Sequence, residues 1–570
     1  MSNGQTSRRR VVDHIVDRLA AHGVRHIFGV DGANIEDLYD AAHFRADLTA
    51  VLAKHEFSAA TMADGYRRSG APLGVVAATS GGGSLNLIAA LGESLASRVP
   101  VLALVGQPPT AMDGRGSFQD TSGLGGSLDA EALFSAVSVY CRRVVDPALI
   151  ETALSEALAA SHRGPAVLLL PKDVQQGIFE GAAGAGLPLA VPIGDPDPIA
   201  EQLRRVRGPV TIIAGEQVAR DDARDELERL RAILRARVAT VPDAKDVSGA
   251  PGLGSSSALG VTGVMGHPGV AEALTASGVC LLVGTRLPAT ARAGLDAALA
   301  ALPVLSLGAE PPYLSSLHVH TDDLRRSLTM LNAALSGSGR VGSGPQSLRS
   351  CPPDGVTVPD RIPYTELTPP VHEGNGIRYR AAMAALDAAL PDGTDIVVDA
   401  GNTGASAIHY LPVRRGGRFV VALGMGGMGY SFGAGIGMCF ARGHRTVIIA
   451  GDGSFFMHGM ELHTAIQYRL PVTVVLFNNN AHAMCVTREQ LFYRDLYSYN
   501  RFTPSKLGAG LAAMFPGLPA VDVAEIGALP HALQTALDEE GPSVVSIECS
   551  ADEIPPFAPF LETKEAHVHV

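Results

Sequence analysis

The sequence predicts an α/β protein built as three doubly wound parallel-sheet domains, and three observations carry that prediction. Short runs rich in Val, Ile, Leu and Ala recur between Gly-, Pro- and polar-rich breaks, as strands buried on both faces do. These runs alternate with helical stretches, the mark of a parallel sheet covered by helices. A chain of 570 residues, 46% of them hydrophobic, holds roughly three or four domains of ordinary size.

The first domain spans residues 1–185. Its strand-like runs are Gly74–Ala78, Val101–Val105 and Ala166–Leu170, with a helix over Phe57–Arg68. Gly181-Ala182-Ala183-Gly184 opens a loop into the second domain, residues 186–340, with strands at Val210–Ala214, Val279–Val283 and Val304–Leu307. A linker follows over residues 341–365, within a Ser-, Gly- and Pro-rich run. The third domain, residues 366–570, repeats the pattern of the first, with strands at Asp395–Val398, Arg445–Ile449 and Val472–Leu476.

A net charge of −12 and a pI near 5.8 make a surface that repels nucleic acid and anionic membranes, so neither is an expected partner. Arg8-Arg9-Arg10 reads as a solvated N-terminal tip. The six cysteines, Cys141, Cys280, Cys351, Cys439, Cys485 and Cys549, form no C-x-x-C pair and read as reduced thiols of an intracellular protein. With no apolar leader and no apolar run of about 18 residues, the expectation is a cytoplasmic enzyme.

The chemistry concentrates in the third domain. Gly451-Asp452-Gly453 follows one buried strand, and the next strand ends at Asn478-Asn479. Adjacent parallel strands deliver their C-terminal ends to one crevice, so Asp452 and Asn479 arrive together as oxygen donors. Hard oxygens beside a phosphate suit Mg²⁺. Glycines flanking the Asp admit phosphate to the backbone, and the following helix start offers free N–H groups. Alone, G-D-G reads equally as a turn.

The whole segment from Gly451 through Glu461-Leu462 and Leu470-Pro471-Val472 to Asn479 resembles the diphosphate-binding motif of thiamine-diphosphate enzymes. In the first domain, His55-Glu56-Phe57, then Asp64-Gly65-Tyr66, then Thr79-Ser80-Gly81-Gly82-Gly83 with Asn86 resemble the pyrimidine-binding segment of acetohydroxyacid (acetolactate) synthases, benzaldehyde lyase and pyruvate oxidase-like relatives. Gly424-Met425-Gly426-Gly427-Met428-Gly429-Tyr430 resembles the segment that props their cofactor in its bent form. The resemblance implies pyrimidine-binding, middle and diphosphate-binding domains in that order, with thiamine diphosphate and Mg²⁺ as cofactors.

It also implies roles. Glu56 would bond the pyrimidine nitrogen N1′, favouring the imino form that takes the C2 proton over a short path. Met428 would be the prop, and Gly426 would accept from the 4′-amino group. Ser80, Gly81, Asn86, Gly451, Gly453, Ser454, His482, Ala483 and Met484 would line the cofactor. Asp452, Asn479 and Ala481 would hold the metal. Gly116-Ser117-Phe118-Gln119-Asp120 looks like the active-site loop, making Phe118 and Gln119 candidates for the substrate pocket. The implied reaction forms or cleaves a C–C bond beside a carbonyl, acting on 2-oxoacids or related donors in the manner of acetolactate synthase. Alternatives are a 1,2-diketone or 2-hydroxyketone lyase, a flavin-linked 2-oxoacid oxidase, and a non-catalytic binding protein on the same fold. The implied smallest unit is a homodimer, assembling as a homotetramer.

Three features depart from the family pattern. Asp31 stands where many relatives have Pro and benzaldehyde lyase has His, and reads as an acid/base or as a turn cap. The chain has no Trp, and Arg488 stands about where a Trp shapes the acceptor pocket of acetohydroxyacid synthases. Arg488 then either reads an anionic or polar substrate or points from its helix into solvent. His482 either faces substrate or is an exposed loop residue. In the middle domain, Gly260–His267 and Val283–Arg286 resemble segments that cradle FAD. Relatives keep this domain without flavin, so an empty domain is the expectation and FAD the alternative.

Overall fold

The computed structural model describes residues 9–181, 191–252, 254–336 and 363–561. The expected linker therefore lies outside the described residues as far as residue 362. Three parallel sheets of six strands each form the frame. The N-terminal sheet runs, edge to edge, Thr49–Leu52, His26–Val30, Gly74–Ala78, Val101–Gln107, Ala166–Pro171, Tyr140–Arg143. Counted along the chain, that order is 2-1-3-4-6-5. The C-terminal sheet repeats it with Phe419–Val421, Asp395–Val398, Thr446–Gly451, Val472–Asn478, Ser543–Glu548, Ala520–Val523. The middle sheet has the order 3-2-1-4-5-6. In every sheet the chain leaves its first strand on both sides, which opens a crevice at the strands' C-terminal ends. Val101–Gln107 and Ala166–Pro171 are buried at every residue, which is why they read as unbroken apolar runs.

Two helices lock the outer domains together. Glu56–Arg68 crosses Tyr430–Arg442 at backbone contact, because glycines stand at the crossing. A Cβ on Gly65 would strike the Ala434 carbonyl, and one on Gly437 the Met62 carbonyl. Asp64 is buried at this crossing and accepts from Arg68 Nε (2.6 Å), Ser94 Oγ (2.7 Å) and Tyr430 Oη. Glu93 of the first domain accepts from the backbone N–H groups of Gly424 (3.1 Å) and Met425 (2.6 Å) of the third.

Of the basic N-terminal run, Arg8 lies outside the described residues, and Arg9 and Arg10 are not a solvated tip. Arg9–Arg10 pairs antiparallel with Ile178–Phe179. Arg9 bonds Asp17, and Arg10 bonds Asp13 and Asp40, each at 2.8 Å. Three carboxylates on the next two helices recruit the arginines, which thus fasten the two ends of the domain. Cys141, Cys280, Cys439, Cys485 and Cys549 are free thiols, and Cys485 is exposed. Among the described residues, no helix is long and apolar enough to cross a membrane.

Candidate active site

The C-terminal crevice gathers the metal candidates. Strands Thr446–Gly451 and Val472–Asn478 are parallel neighbours, with Gly451 opposite Phe477, so the residues that follow them emerge side by side. Asp452 begins the helix Asp452–His458 and is fully buried. Its Oδ2 accepts from the Ala481 N–H at 3.1 Å, while its Oδ1 is enclosed with no partner among the described residues. Burial raises the Asp452 carboxyl to about 6, against backbone N–H groups that pull it down. Asn479 donates its Nδ2 to Tyr379 Oη (3.2 Å), leaving its Oδ1 enclosed and unpartnered as well. Two buried oxygens without donors are costly unless something positive meets them.

Three further residues close over this point. Gly426 and Gly429 take φ of +65° and +87°, which glycine adopts without strain, and they bracket the turn carrying Met428. The Met428 methyl group lies 3.4 Å from where a Cβ on Gly453 would stand, so the half-buried Met428 reaches over the Asp452 loop. His482 caps the helix Ala483–Phe492, with its ring against Gly453 and edge-on to Phe502. It is therefore a packed residue of the loop and not a free one. Ser454 is buried on the first turn of its helix, whereas Met484 is half-buried. Arg488 is exposed and forms no ion pair among the described residues.

Asp399 is the residue that sequence reasoning missed. It follows strand Asp395–Val398 directly, the position Asp452 holds after its own strand. Buried, it accepts from the N–H groups of Ala400 (3.0 Å), Gly429 (3.0 Å) and Ser431 (3.0 Å) and from Ser454 Oγ (2.6 Å). One carboxylate thus fixes the Met428 turn to the Asp452 loop. The only signal was an Asp at a strand end before Gly401.

The N-terminal crevice gathers the other candidates. Glu56 opens its helix, and its Oε2 accepts from Asn86 Nδ2 at 2.9 Å. A Cβ on Gly83 would stand 2.9 Å from Glu56 Oε1, so glycine leaves that carboxylate room. Gln119, at φ +60°, turns its Oε1 to within 3.4 Å of both Thr79 Oγ1 and Ser80 Oγ, and its side chain covers Gly81. Asn34 donates to Ser80 Oγ at 2.7 Å. Phe118 beside them is 79% exposed. Asp31 is exposed and accepts from its neighbour Gly32 at 2.8 Å, a turn contact. Partial desolvation on its inner side raises its carboxyl, opposed by the Gly32 N–H and reinforced by nearby Glu36. The two crevices communicate through Phe57, next to Glu56: its ring stacks on His458 at 4.3 Å and faces Gly427 of the Met428 turn.

The two glycine-containing segments of the middle domain part company. Gly260 and Gly263 take φ of +85° and +80°, and the space beside them holds the His267 ring and the backbone of Thr290 and Ala291. Their freedom serves the chain's own packing. Gly284-Thr285-Arg286 does line a cavity of about 410 Å³ at the junction of all three domains, together with Glu216, Asp243 and Glu310. There Arg286 lies over the Tyr313 ring at 4.1 Å, and Arg98 is paired with Glu310 and Asp322.

Residues 9–125 match the family model "Thiamine pyrophosphate enzyme, N-terminal TPP binding domain". Residues 197–311 match its central domain and 399–547 its C-terminal TPP binding domain. Over 565 residues the chain is 28% identical to a probable acetolactate synthase large subunit of Methanocaldococcus jannaschii, covering 96% of this chain and 93% of that one. It is 26% identical to the acetolactate synthase isozyme 2 large subunit of Escherichia coli, covering 95% of each chain. It is also 26% identical to a sulfoacetaldehyde acetyltransferase of Castellaniella defragrans, covering 95% of this chain and 93% of that one.

Proposed function

The chain belongs to the thiamine pyrophosphate enzymes, and on that premise we propose that it is a Mg²⁺-dependent carboligase or lyase. It forms or cleaves a C–C bond beside the carbonyl of a 2-oxoacid or related donor. The observation that carries this reading is the convergence of two buried, unpartnered oxygens, Asp452 Oδ1 and Asn479 Oδ1, at the C-terminal crevice. An anionic oxygen and an amide oxygen beside a helix N-terminus fit a hard cation bridging to a diphosphate, with Ala481 completing the loop. When bound, thiamine diphosphate supplies the electron sink that lets the bond beside the carbonyl break or form. Glu56, steadied by Asn86 at the start of its helix, would pass a proton to and from the cofactor's ring. Met428, tied down through Asp399, shapes the space above Gly453. Gln119 and the raised carboxyl of Asp31 form the polar wall available to substrate, with Ser80 buried behind Gln119.

The Gly260 and Gly263 cradle is filled by the chain itself, whereas the larger cavity is lined by Arg98, Arg220 and Arg286 as well as by Glu216, Asp243 and Glu310, which keeps FAD there as the alternative to an empty middle domain. Exposed Leu85, Met425, Phe456, Met457 and Met460 support burial of both crevices against a second copy, hence a homodimer as the smallest unit.

The test is a panel of 2-oxoacids, 1,2-diketones and 2-hydroxyketones offered with aldehyde and 2-oxoacid acceptors, with products read by mass spectrometry. The reading requires turnover that depends on thiamine diphosphate and Mg²⁺ and disappears in Asp452→Ala. Cofactor binding that is undiminished in EDTA would refute the metal assignment.

A further inference from the structure

Away from both crevices, the first and middle domains enclose a cavity of roughly 280 Å³ with an unbalanced charge. Three arginines line it, Arg18, Arg67 and Arg220, against two carboxylates, Asp221 and Asp322, with His22 and His162 also on the wall. Both carboxylates are already engaged. Asp322 meets Arg98 at 3.3 Å and His320 at 3.7 Å. Asp221 accepts from Gln217 (3.0 Å) and the Leu324 N–H (3.0 Å) and lies 3.6 Å from Arg220 Nε. Arg18 reaches Glu151 and Ser155, each at 3.4 Å.

Arg67 is different. Its Nη2 touches only the carbonyl of Arg220, at 3.4 Å, and its Nε is enclosed with no partner among the described residues. Among the same residues no carboxylate comes within ion-pair distance of it. Burial, and then the neighbouring Arg220, push its guanidinium down, against the weaker opposite pull of the more distant Asp221 and Glu216. A guanidinium presents donors in a fixed fork matched to phosphate or carboxylate, and enclosing it beside like charge is costly unless an anion arrives. Arg67 sits on the last turn of the helix that Glu56 begins, 11 residues and so about 16 Å along the axis, which separates this cavity from the Glu56 end.

We propose that this cavity is a binding site for a small phosphate dianion, either free or as the head of a phosphorylated metabolite, with Arg67 as its principal ligand and Arg220 as the second cation. The cavity's size suits such a head group and excludes a dinucleotide. A further wall group, His22, gives polar contact of the kind that fixes orientation.

The enzyme is saturated with thiamine diphosphate and Mg²⁺, so that the cofactor's own phosphate site is filled. Thermal unfolding is then followed in chloride, in inorganic phosphate and in glycerol 3-phosphate at equal ionic strength. Wild type should melt several degrees higher with phosphate or its ester than with chloride. Arg67→Gln should lose that rise, and Arg67→Lys, which keeps the charge without the fork, should retain a smaller one. A rise with the ester alone assigns the site to a phosphorylated metabolite, and an equal rise with both assigns it to the free anion. In chloride, Arg67→Gln should melt no lower than wild type, because it removes an unpaired enclosed cation. The proposal fails if wild type shows no rise with either anion, if Arg67→Gln keeps the rise, or if Arg67→Gln melts well below wild type in chloride.

Discussion

Replacing Asp399 by Asn should loosen the candidate site while every side chain proposed to contact the cofactor, Ser454 among them, stays in place. The carboxylate collects four hydrogen bonds, three from backbone N–H groups and one from Ser454 Oγ. Each bond to a charged acceptor contributes about 1.5–3 kcal/mol, and a stranded buried donor costs about 1–3 kcal/mol. An amide in that place keeps one acceptor oxygen and turns an NH₂ group toward donors. Losing two of the four bonds, with partial relaxation, gives about 3 kcal/mol of lost stability, smaller than the simple sum because bonds to one group are not additive. The same loss unpins the Gly429 end of the Met428 turn from the Asp452 loop. Urea unfolding by circular dichroism should move to a lower midpoint, and calorimetric affinity for thiamine diphosphate with Mg²⁺ should fall at least tenfold. Ser454→Ala removes only one bond and should cost about 1–2 kcal/mol. If Asp399→Asn keeps both its midpoint and its cofactor affinity, the carboxylate does not organise the site.

Glu56→Gln should lower kcat by about 10²–10⁴ while cofactor affinity changes far less, as expected for a lost proton-transfer partner; equal loss of both would mark Glu56 as a binding residue only. Gly65→Ala sets a Cβ against the Ala434 carbonyl and should destabilise the joined outer domains by about 1–3 kcal/mol, read as a lower melting temperature. An unchanged melting temperature would mean that the two helices do not cross so closely. Glu216, raised by burial from 4.5 to about 7 against the pull of Arg418 and Arg68, keeps its proton in the fold where the unfolded chain has lost it. Stability from this group therefore falls as pH rises from about 4.5 to about 7, by up to about 3 kcal/mol. Glu216→Gln should match wild type near pH 4.5 and exceed it at pH 8, and a parallel pair of stability–pH curves would refute the assignment.

The sequence was most legible where one residue type answers one local demand. Buried strands must be apolar on both faces, so Val101–Gln107 and Val472–Asn478 announced themselves. The rule that parallel neighbours end at one crevice was enough to bring Asp452 and Asn479 together. What stayed hidden depends on long-range assembly. Asp399 acts only because residues 400, 429, 431 and 454 fold around it. Tyr379 meets Asn479 across 100 residues of chain. The glycines of 260–266 left two readings open for a related reason, since a glycine-rich run looks the same whether the space beside it holds a ligand or the chain's own His267. Arg9 and Arg10 read as a free tip because the carboxylates that hold them share no motif with them.

The shared strand order of the outer domains explains why their chemistries divide as they do. Each sheet opens its crevice between its first and third strands, and each places polar residues directly after those two strands. In the C-terminal domain the positions are Asp399 and Asp452: one buried carboxylate saturated by internal donors, the other left with an unpartnered oxygen. In the N-terminal domain the corresponding loops carry Asp31 and Thr79-Ser80, with hydroxyls and amides crosslinked to each other through Asn34 and Gln119. Apart from the exposed Asp31, this network is built of neutral hydroxyls and amides, a polar setting that suits the proton exchange we propose for Glu56. One topology therefore serves twice: in the C-terminal domain the switch-point carboxylate Asp452 keeps a free oxygen for the cation we propose there, and in the N-terminal domain the helix start beside the switch point carries Glu56, the proposed acid.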